Sequence, residues 1–142
     1  MSDDKKNEKK AFKLISYAAE KGFVRAKRLL GFYYSASIGV KEDMQKALEW
    51  WHKAAEEEDA YSIYFIGRCY YNGEGIKEDK ASAYEWFKRA AELEEHGSGE
   101  AKCYLGLCHY FGAGCEEDDE AAYTLFVEAL EWGVEPAEFL IG

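Results

Sequence analysis

The chain repeats itself, and no other property narrows its fold as sharply. Slid against itself, the 142-residue sequence pairs Gly67 with Gly31, 36 residues earlier, and with Gly106, 39 residues later. Eight residues beyond each of these lies a second glycine: Gly39, Gly75 and Gly114. Twelve beyond stand Asp43, Asp79 and Asp118; sixteen beyond, Ala47, Ala83 and Ala122. Twenty beyond stand Trp51, Phe87 and Phe126; twenty-three beyond, Ala54, Ala90 and Ala129. Five before the glycine are Ala26, Ser62 and Ala101, and one before it Leu30, Ile66 and Leu105. The unit that shows the pattern in full is Ile66 to Ala91, IGRCYYNGEGIKEDKASAYEWFKRAA.

Each column has a physical reason. The first half of a unit carries apolar residues at helical spacing, as in Ser62, Ile66, Cys69 and Tyr70. A glycine inside such a helix costs about 1 kcal/mol relative to alanine, so Gly31, Gly67 and Gly106 imply a neighbouring helix that must come close. Gly73 and Gly75 then supply the positive φ that ends a helix and turns the chain. The aspartate column suits the N-cap of a second helix, where a carboxylate meets unpaired N–H groups. No capping box follows, because Lys46, Ser82 and Ala121 stand three residues on. That second helix is amphipathic: Ala83, Trp86, Phe87, Ala90 and Ala91 form one stripe, and Glu85, Lys88, Arg89 and Glu92 face water.

The segments Leu30–Tyr34 (LGFYY), Ile66–Asp79 (IGRCYYNGEGIKED) and Leu105–Cys115 (LGLCHYFGAGC) carry a family resemblance. So do Lys46–Glu56 (KALEWWHKAAE) and Ser82–Glu92 (SAYEWFKRAAE). The unit resembles the Sel1-like repeat, a relative of the tetratricopeptide repeat. The resemblance implies an all-α fold, a right-handed α/α superhelical solenoid of helix-turn-helix repeats. One repeat array would fill residues 1–142: a half repeat at 10–22, repeats at 24–59, 60–98 and 99–135, and the start of a further repeat at 136–142. Within these, helices are expected over Val24–Ala36, Asp43–Glu57, Ala60–Asn72, Asp79–Glu94, Glu100–Phe111 and Asp118–Trp132. Met1–Lys10 reads as a charged, frayed end, and Ala11–Gly22 aligns with Ala47–Glu58 as a second helix without its first. The departures are local. Ser37 replaces a turn glycine, Glu128–Trp132 lacks the paired alanine, and three extra residues fall near His96–Gly99. Because the array opens and closes in mid-repeat, the expectation is a fragment of a longer repeat protein or a minimal array with a docked terminal helix.

Composition bounds the function. The chain is 48% hydrophobic and 16% aromatic with one proline, enough for a core and unlike a disordered segment. A net charge of −10 with no basic stripe argues against nucleic acid and against adhesion to anionic membranes. No apolar run approaches the roughly 20 residues of a membrane span.

Catalytic and metal chemistry find little footing. Cys69, Cys103, Cys108 and Cys115 read as four reduced, buried thiols, with Cys115 filling the apolar turn position of Val40 and Ile76. The resemblance includes cysteine-rich Helicobacter relatives whose disulfides would need cysteines where Ala55, Ala91, Ile63 and Lys102 stand, so their framework is not expected. A zinc site from Cys103, Cys108, His109 and Cys115 lacks the usual two-residue spacing. Free thiols favour a reducing compartment, hence a cytoplasmic placement. His52, His96 and His109 pair with no nucleophile by spacing, and the run Glu116–Glu120 reads as a solvated helix start. No dinucleotide fingerprint, phosphate loop or HExxH occurs. The expectation is therefore no catalytic residue, no metal ligand and no cofactor.

In the superhelical families that the chain resembles, the first helix of each repeat lines a concave groove. Positions six and three before the glycine and one, four and five after it share one face at about 100° per residue. They are Arg25, Arg28, Phe32, Ser35 and Ala36; Tyr61, Tyr64, Arg68, Tyr71 and Asn72; and Glu100, Cys103, Leu107, Tyr110 and Phe111. Tyrosine, phenylalanine and arginine are enriched where proteins bind partners. The resulting expectation is a non-catalytic scaffold that binds a protein or peptide segment through Arg25, Arg28, Phe32, Tyr61, Tyr64, Arg68, Tyr71, Asn72, Leu107, Tyr110 and Phe111. Alternatives stay open at this point. The array could bury this face against itself, the exposed aromatics could form a homodimer, and the chain could be a structural segment of a larger repeat protein. A hydrolase-like or cell-wall-ligand activity, as in the cysteine-rich relatives, is a further alternative.

Overall fold

The computed structural model describes residues 2–135. The Pro136–Gly142 segment, expected as the start of a further repeat, lies outside them. Seven helices and no strand make up the described residues: α1 (Asp3–Glu20), α2 (Val24–Ala36), α3 (Met44–Ala55), α4 (Ala60–Asn72), α5 (Lys80–Glu92), α6 (Ser98–Phe111) and α7 (Asp119–Glu131). The expected boundaries of α2 and α4 match to the residue, and the other repeat helices agree to within two. The helices gather into two compact units, one up to Asp59 and one from Ala60.

Three local devices recur and explain the agreement. First, Asp43, Asp79 and Asp118 are N-caps with extended backbone, and their carboxylates accept from the N–H groups of Lys46, Ser82 and Ala121 at 3.1, 3.0 and 3.0 Å. Second, the same aspartates donate their backbone N–H to the carbonyls of Tyr34, Tyr70 and His109 at 3.0, 2.8 and 2.8 Å. The end of one helix is thus tied to the start of the next. Third, the turn needs a left-handed residue. Gly73 and Gly112 supply it at φ 70° and 68°, and Ser37 supplies it at 58°, its hydroxyl donating to the Val40 carbonyl at 3.0 Å. Serine replaces glycine there at a conformational cost of about 1–2 kcal/mol.

In the first unit, α2 packs between α1 and α3. One buried cluster there is Ala19, Ala26 and Leu30, with Phe12, Ile15, Ala18, Tyr34 and Trp50 packed around it, and α3 adds buried Ala47, Leu48, Trp51, Ala54 and Ala55. The rings of Phe12 and Tyr34 meet edge to face at 5.4 Å. A Cβ on Gly31 would collide with the Trp51 indole, whose Nε1 donates to the Arg28 carbonyl at 3.1 Å. The charged start is not frayed, contrary to expectation. Ser2 accepts from the Lys5 N–H at 3.3 Å, Asp3 and Asp4 fill the first turn, and α1 runs from there. Gly39 also docks on this helix, at the carbonyl of Glu8.

In the second unit, α4–α5 and α6–α7 are the helix pairs, and α6 also packs on α5 and α4. A Cβ on Gly67 would lie 2.6 Å from the Phe87 ring, and one on Gly106 2.7 Å from the Phe126 ring. The alanines that flank these rings, Ala83, Ala90 and Ala129, are fully buried. The extra residues between α5 and α6 differ from the loop expected at His96–Gly99, because Ser98 and Gly99 are buried in the first turn of α6. The Ser98 hydroxyl donates to the Ala90 carbonyl at 2.7 Å and accepts from the Glu95 N–H at 3.0 Å. Glu95 then reaches the start of α4, accepting from the Ala60 N–H at 2.8 Å. On α7, Tyr123, Val127 and Leu130 form an exposed stripe. The equivalent residues on α5 are Tyr84, Lys88 and Ala91; Tyr84 meets His109 of α6 edge to face at 5.5 Å, and Ala91 is buried.

Two outcomes follow from these contacts. Gly67→Ala drives a methyl into the Phe87 ring and is expected to destabilise by about 1–3 kcal/mol in urea unfolding, with part of the loss recovered by adding Phe87→Leu. Hydrogen bonds from the Ser82 N–H and hydroxyl hold the Asp79 carboxyl below its ordinary value. A depressed folded value gives stability that is present above the unfolded value of about 3.9 and is lost as pH falls through the folded one. Asp79→Ala should therefore lower the Tm by a few degrees at pH 7, and the gap to wild type should close as pH falls through the folded value.

Candidate interaction face

The two units place the first-helix residues differently. On α2, Arg25 and Phe32 are exposed. Arg28 is engaged within the chain, its Nε 3.5 Å from the Asp59 carboxylate. Phe32 thus stands as an isolated exposed aromatic on that helix, with Ser35 and Ala36 beside it as small neighbours.

On α4 and α6 the same columns build a layered cluster. Tyr64 and Leu107 are 4% and 3% exposed, and Cys103 is fully buried, so these three form a floor and not a contact surface. The rings interlock around Tyr104: Tyr64–Tyr104 at 5.8 Å, Tyr71–Tyr104 at 5.4 Å edge to face, and Phe87–Tyr104 stacked at 5.0 Å. Tyr61 stacks on Phe65 at 6.0 Å. Tyr71, Tyr61 and Arg68 are half-buried, and Asn72 is exposed. At the far end of α6, Tyr110 and Phe111 are 48% and 60% exposed and meet edge to face at 4.9 Å. The part of the cluster open to solvent is therefore Tyr61, Arg68, Tyr71, Asn72, Tyr110 and Phe111.

Tyr104 lies at the centre of this cluster and was missed by the helical-face argument. It stands two before the glycine, where its counterparts are Leu29 and Phe65. Bulk in all three copies was the available signal. Lys80 was missed as well: its Nζ sits 3.6 Å over the Tyr71 ring, donates to the Tyr71 carbonyl at 2.6 Å and lies 3.5 Å from Glu78.

Arg68 is the charged centre. Its guanidinium lies 5.7 Å from the Tyr64 ring and shares side-chain hydrogen bonds with Tyr64 and Tyr104, and Tyr104 also bonds the Asn72 side chain. Its Nε is buried and donates to no oxygen, an arrangement that costs about 1–3 kcal/mol. Burial works against the guanidinium charge, while the hydrogen bond with Tyr64 and the Glu74 carboxylate support it, and Arg68 stays protonated. Burial pushes the Tyr64, Tyr71 and Tyr104 phenols up, so all three remain neutral donors at physiological pH.

The thiols are chemically quiet. Cys69, Cys103 and Cys108 are buried and form no disulfide, and burial pushes Cys69 and Cys108 up to about 12. Cys115 is half-buried in its turn, with Sγ 3.6 Å from His109 Nδ1. No group of three or more His, Cys, Asp or Glu side chains among the described residues is arranged to hold a metal ion. His52 and His96 are exposed. Native alkylation with iodoacetamide should accordingly label Cys115 alone, and labelling in denaturant should reach all four cysteines; intact mass and peptide mapping read both results.

No helix among the described residues is long and apolar enough to cross a membrane. Comparison with known proteins extends these observations. The Sel1 repeat model matches residues 3–23, 24–59, 60–94 and 99–132. None of the curated proteins matches the chain. Among solved structures, a Sel1 repeat protein from Oxalobacter formigenes is 31% identical with a TM-score of 0.81, over 89% of this chain and 51% of that one. A protective antigen of uropathogenic Escherichia coli strains that displays an SLR fold is 28% identical with a TM-score of 0.79, over 89% of this chain and 27% of that one. The chain thus spans about half the length of the first and about a quarter of the second. Cysteine-rich protein B of Helicobacter pylori is 24% identical with a TM-score of 0.68, over 91% of this chain and 96% of that one, and shares the fold. Sel1-repeat proteins are in general non-catalytic scaffolds for protein–protein interaction. Four matched segments and the recurring glycine, aspartate and alanine columns agree: the chain belongs to the Sel1-repeat family, with an all-α helical repeat fold.

Proposed function

We propose that this chain is a non-catalytic binding module for a protein or peptide segment, taken along the α4–α6 face. The observation that carries the reading is the exposed Tyr110–Phe111 pair at the end of a face that also holds a half-buried arginine among tyrosines. Exposed aromatic pairs beside an arginine are the residue types that dominate protein interfaces. Tyrosine supplies contact area at low entropic cost because it has few rotatable bonds, and its hydroxyl can donate or accept.

The residues divide into roles on this reading. Tyr110 and Phe111 pack on apolar side chains of the partner. Tyr61, Tyr71 and Asn72 line the approach, and Arg68 meets an acidic group. Tyr64, Leu107 and Cys103 support the face from beneath. Arg25 and Phe32 on α2 offer a second contact region in the other unit, whereas Arg28 is held by Asp59. The Sel1-repeat membership supports the same class of function.

The test is partner capture from native lysate with wild type beside a Tyr110→Ser, Phe111→Ser variant. Both substitutions are at exposed positions, so folding by circular dichroism should be unchanged and stability should move by no more than about 0.5 kcal/mol. The captured partner should bind the variant at least tenfold more weakly in a follow-up titration. Equal affinity for the two proteins would place binding on another face.

A further inference from the structure

The Arg68 environment narrows the chemistry of the partner. We propose that the α4–α6 face takes a segment in the polyproline-II conformation, with one carboxylate side chain on Arg68 and one apolar side chain, three residues away, against Phe111. This rests on the segment-binding reading above and specifies its ligand.

Charge selects the carboxylate. Lys80 is already engaged by the Tyr71 carbonyl and Glu78. Arg68 is half-buried, and its side-chain bonds go to the neutral phenols of Tyr64 and Tyr104. A carboxylate is a stronger acceptor than a tyrosine hydroxyl and can take two guanidinium N–H groups side by side. It exchanges the neutral partners for a charged one. The surroundings limit the ligand to a single negative charge. Glu74 acts on both Arg68 and Tyr104, Glu100 acts on Tyr64, and the whole chain carries −10. A polyacidic segment would be repelled, and a doubly charged phosphate would meet a single arginine. Neutral or basic flanks suit the carboxylate rim.

Spacing selects the anchor. Arg68 bonds Tyr104, so the charge sits at the level of Tyr104 along α6. Phe111 is seven residues further on the same helix face, roughly 10 Å along the axis at 1.5 Å per residue. A polyproline-II chain rises about 3.1 Å per residue and completes a turn in three, so side chains three residues apart lie on one face about 9 Å apart and reach both points. Phe111 is exposed at this point and braced edge to face by Tyr110.

The experiment uses fluorescein-labelled nine-residue peptides read by anisotropy. Each holds a glutamate and a leucine separated by two serines, in either chain direction, with lysine and glycine flanks. Controls replace the glutamate by glutamine, the leucine by serine, or move the leucine one residue closer. On the wild-type protein, one direction of the glutamate peptide should bind at least tenfold more tightly than its glutamine twin. Arg68→Gln should erase that preference. Phe111→Ser should weaken both twins alike and leave the preference standing, and the leucine-to-serine and shifted-leucine peptides should match that loss. Should Arg68→Gln fail to fold by circular dichroism, Arg68→Lys keeps the charge, loses the planar fork, and should reduce the preference. If the glutamate and glutamine peptides bind the wild-type protein equally while Phe111→Ser weakens both, the carboxylate assignment is overturned and the segment-binding reading survives. If no peptide binds, both are overturned.

Discussion

A Cβ on Gly67 would stand 2.6 Å from the Phe87 ring, and the same encounter links Gly31 with Trp51 and Gly106 with Phe126. The ring of the second helix occupies the space that a side chain on the first helix would need. The two axes can then approach, and the alanines on either side, Ala83 and Ala90 in the α4–α5 pair, close around the ring without voids. A residue larger than glycine would push the pair apart and uncover those alanines. The spacing of twenty residues is therefore fixed by three-dimensional contact, although it is visible as a sequence column.

The connection between the helices makes that contact reachable. The aspartate caps the second helix with its side chain and ties back to the first helix through its own N–H, so one residue sets both the start and the return angle of the chain. The second turn glycine has two duties. Gly114 adopts φ 77° and also lies against the Lys80 carbonyl at the start of α5, so its lack of a side chain serves the packing of consecutive pairs as well as the turn. Gly39 does the same against Glu8 in the first unit. The inserted loop shows a different solution, in which Ser98 and Glu95 meet the backbone groups that a longer connection would leave unpaired.

The aromatic residues of the second unit serve the core and the face at once. Phe87 touches Gly67 on one side and stacks on Tyr104 on another, and Tyr104 in turn bonds Arg68. The ring that holds the helix pair together therefore also positions the charged centre of the face. A partner that rearranges Arg68 acts on a cluster continuous with the core, whereas Tyr110 and Phe111, at the exposed end of α6, can be altered without reaching it.

Helix boundaries, caps, turns and the family were legible in the sequence because their causes are local or repeat at fixed spacing. An aspartate N-cap needs only the next three residues, and a left-handed turn needs only its own φ. The candidate face was legible in part. Periodicity placed Tyr64, Leu107 and Phe111 on one helical face, but whether a residue on that face is floor or surface depends on side chains from another helix. Tyr104 and Phe87 pack against Tyr64, while Phe111 stays exposed at the end of α6. Arg28 could be counted as a free cation until Asp59, 31 residues away, was placed beside it. The sequence determined the helices and the contacts that recur with the repeat. Tertiary structure decided burial, ion pairing and the centre of the face, because these arise where unlike side chains of different helices meet and no repeat column records such meetings.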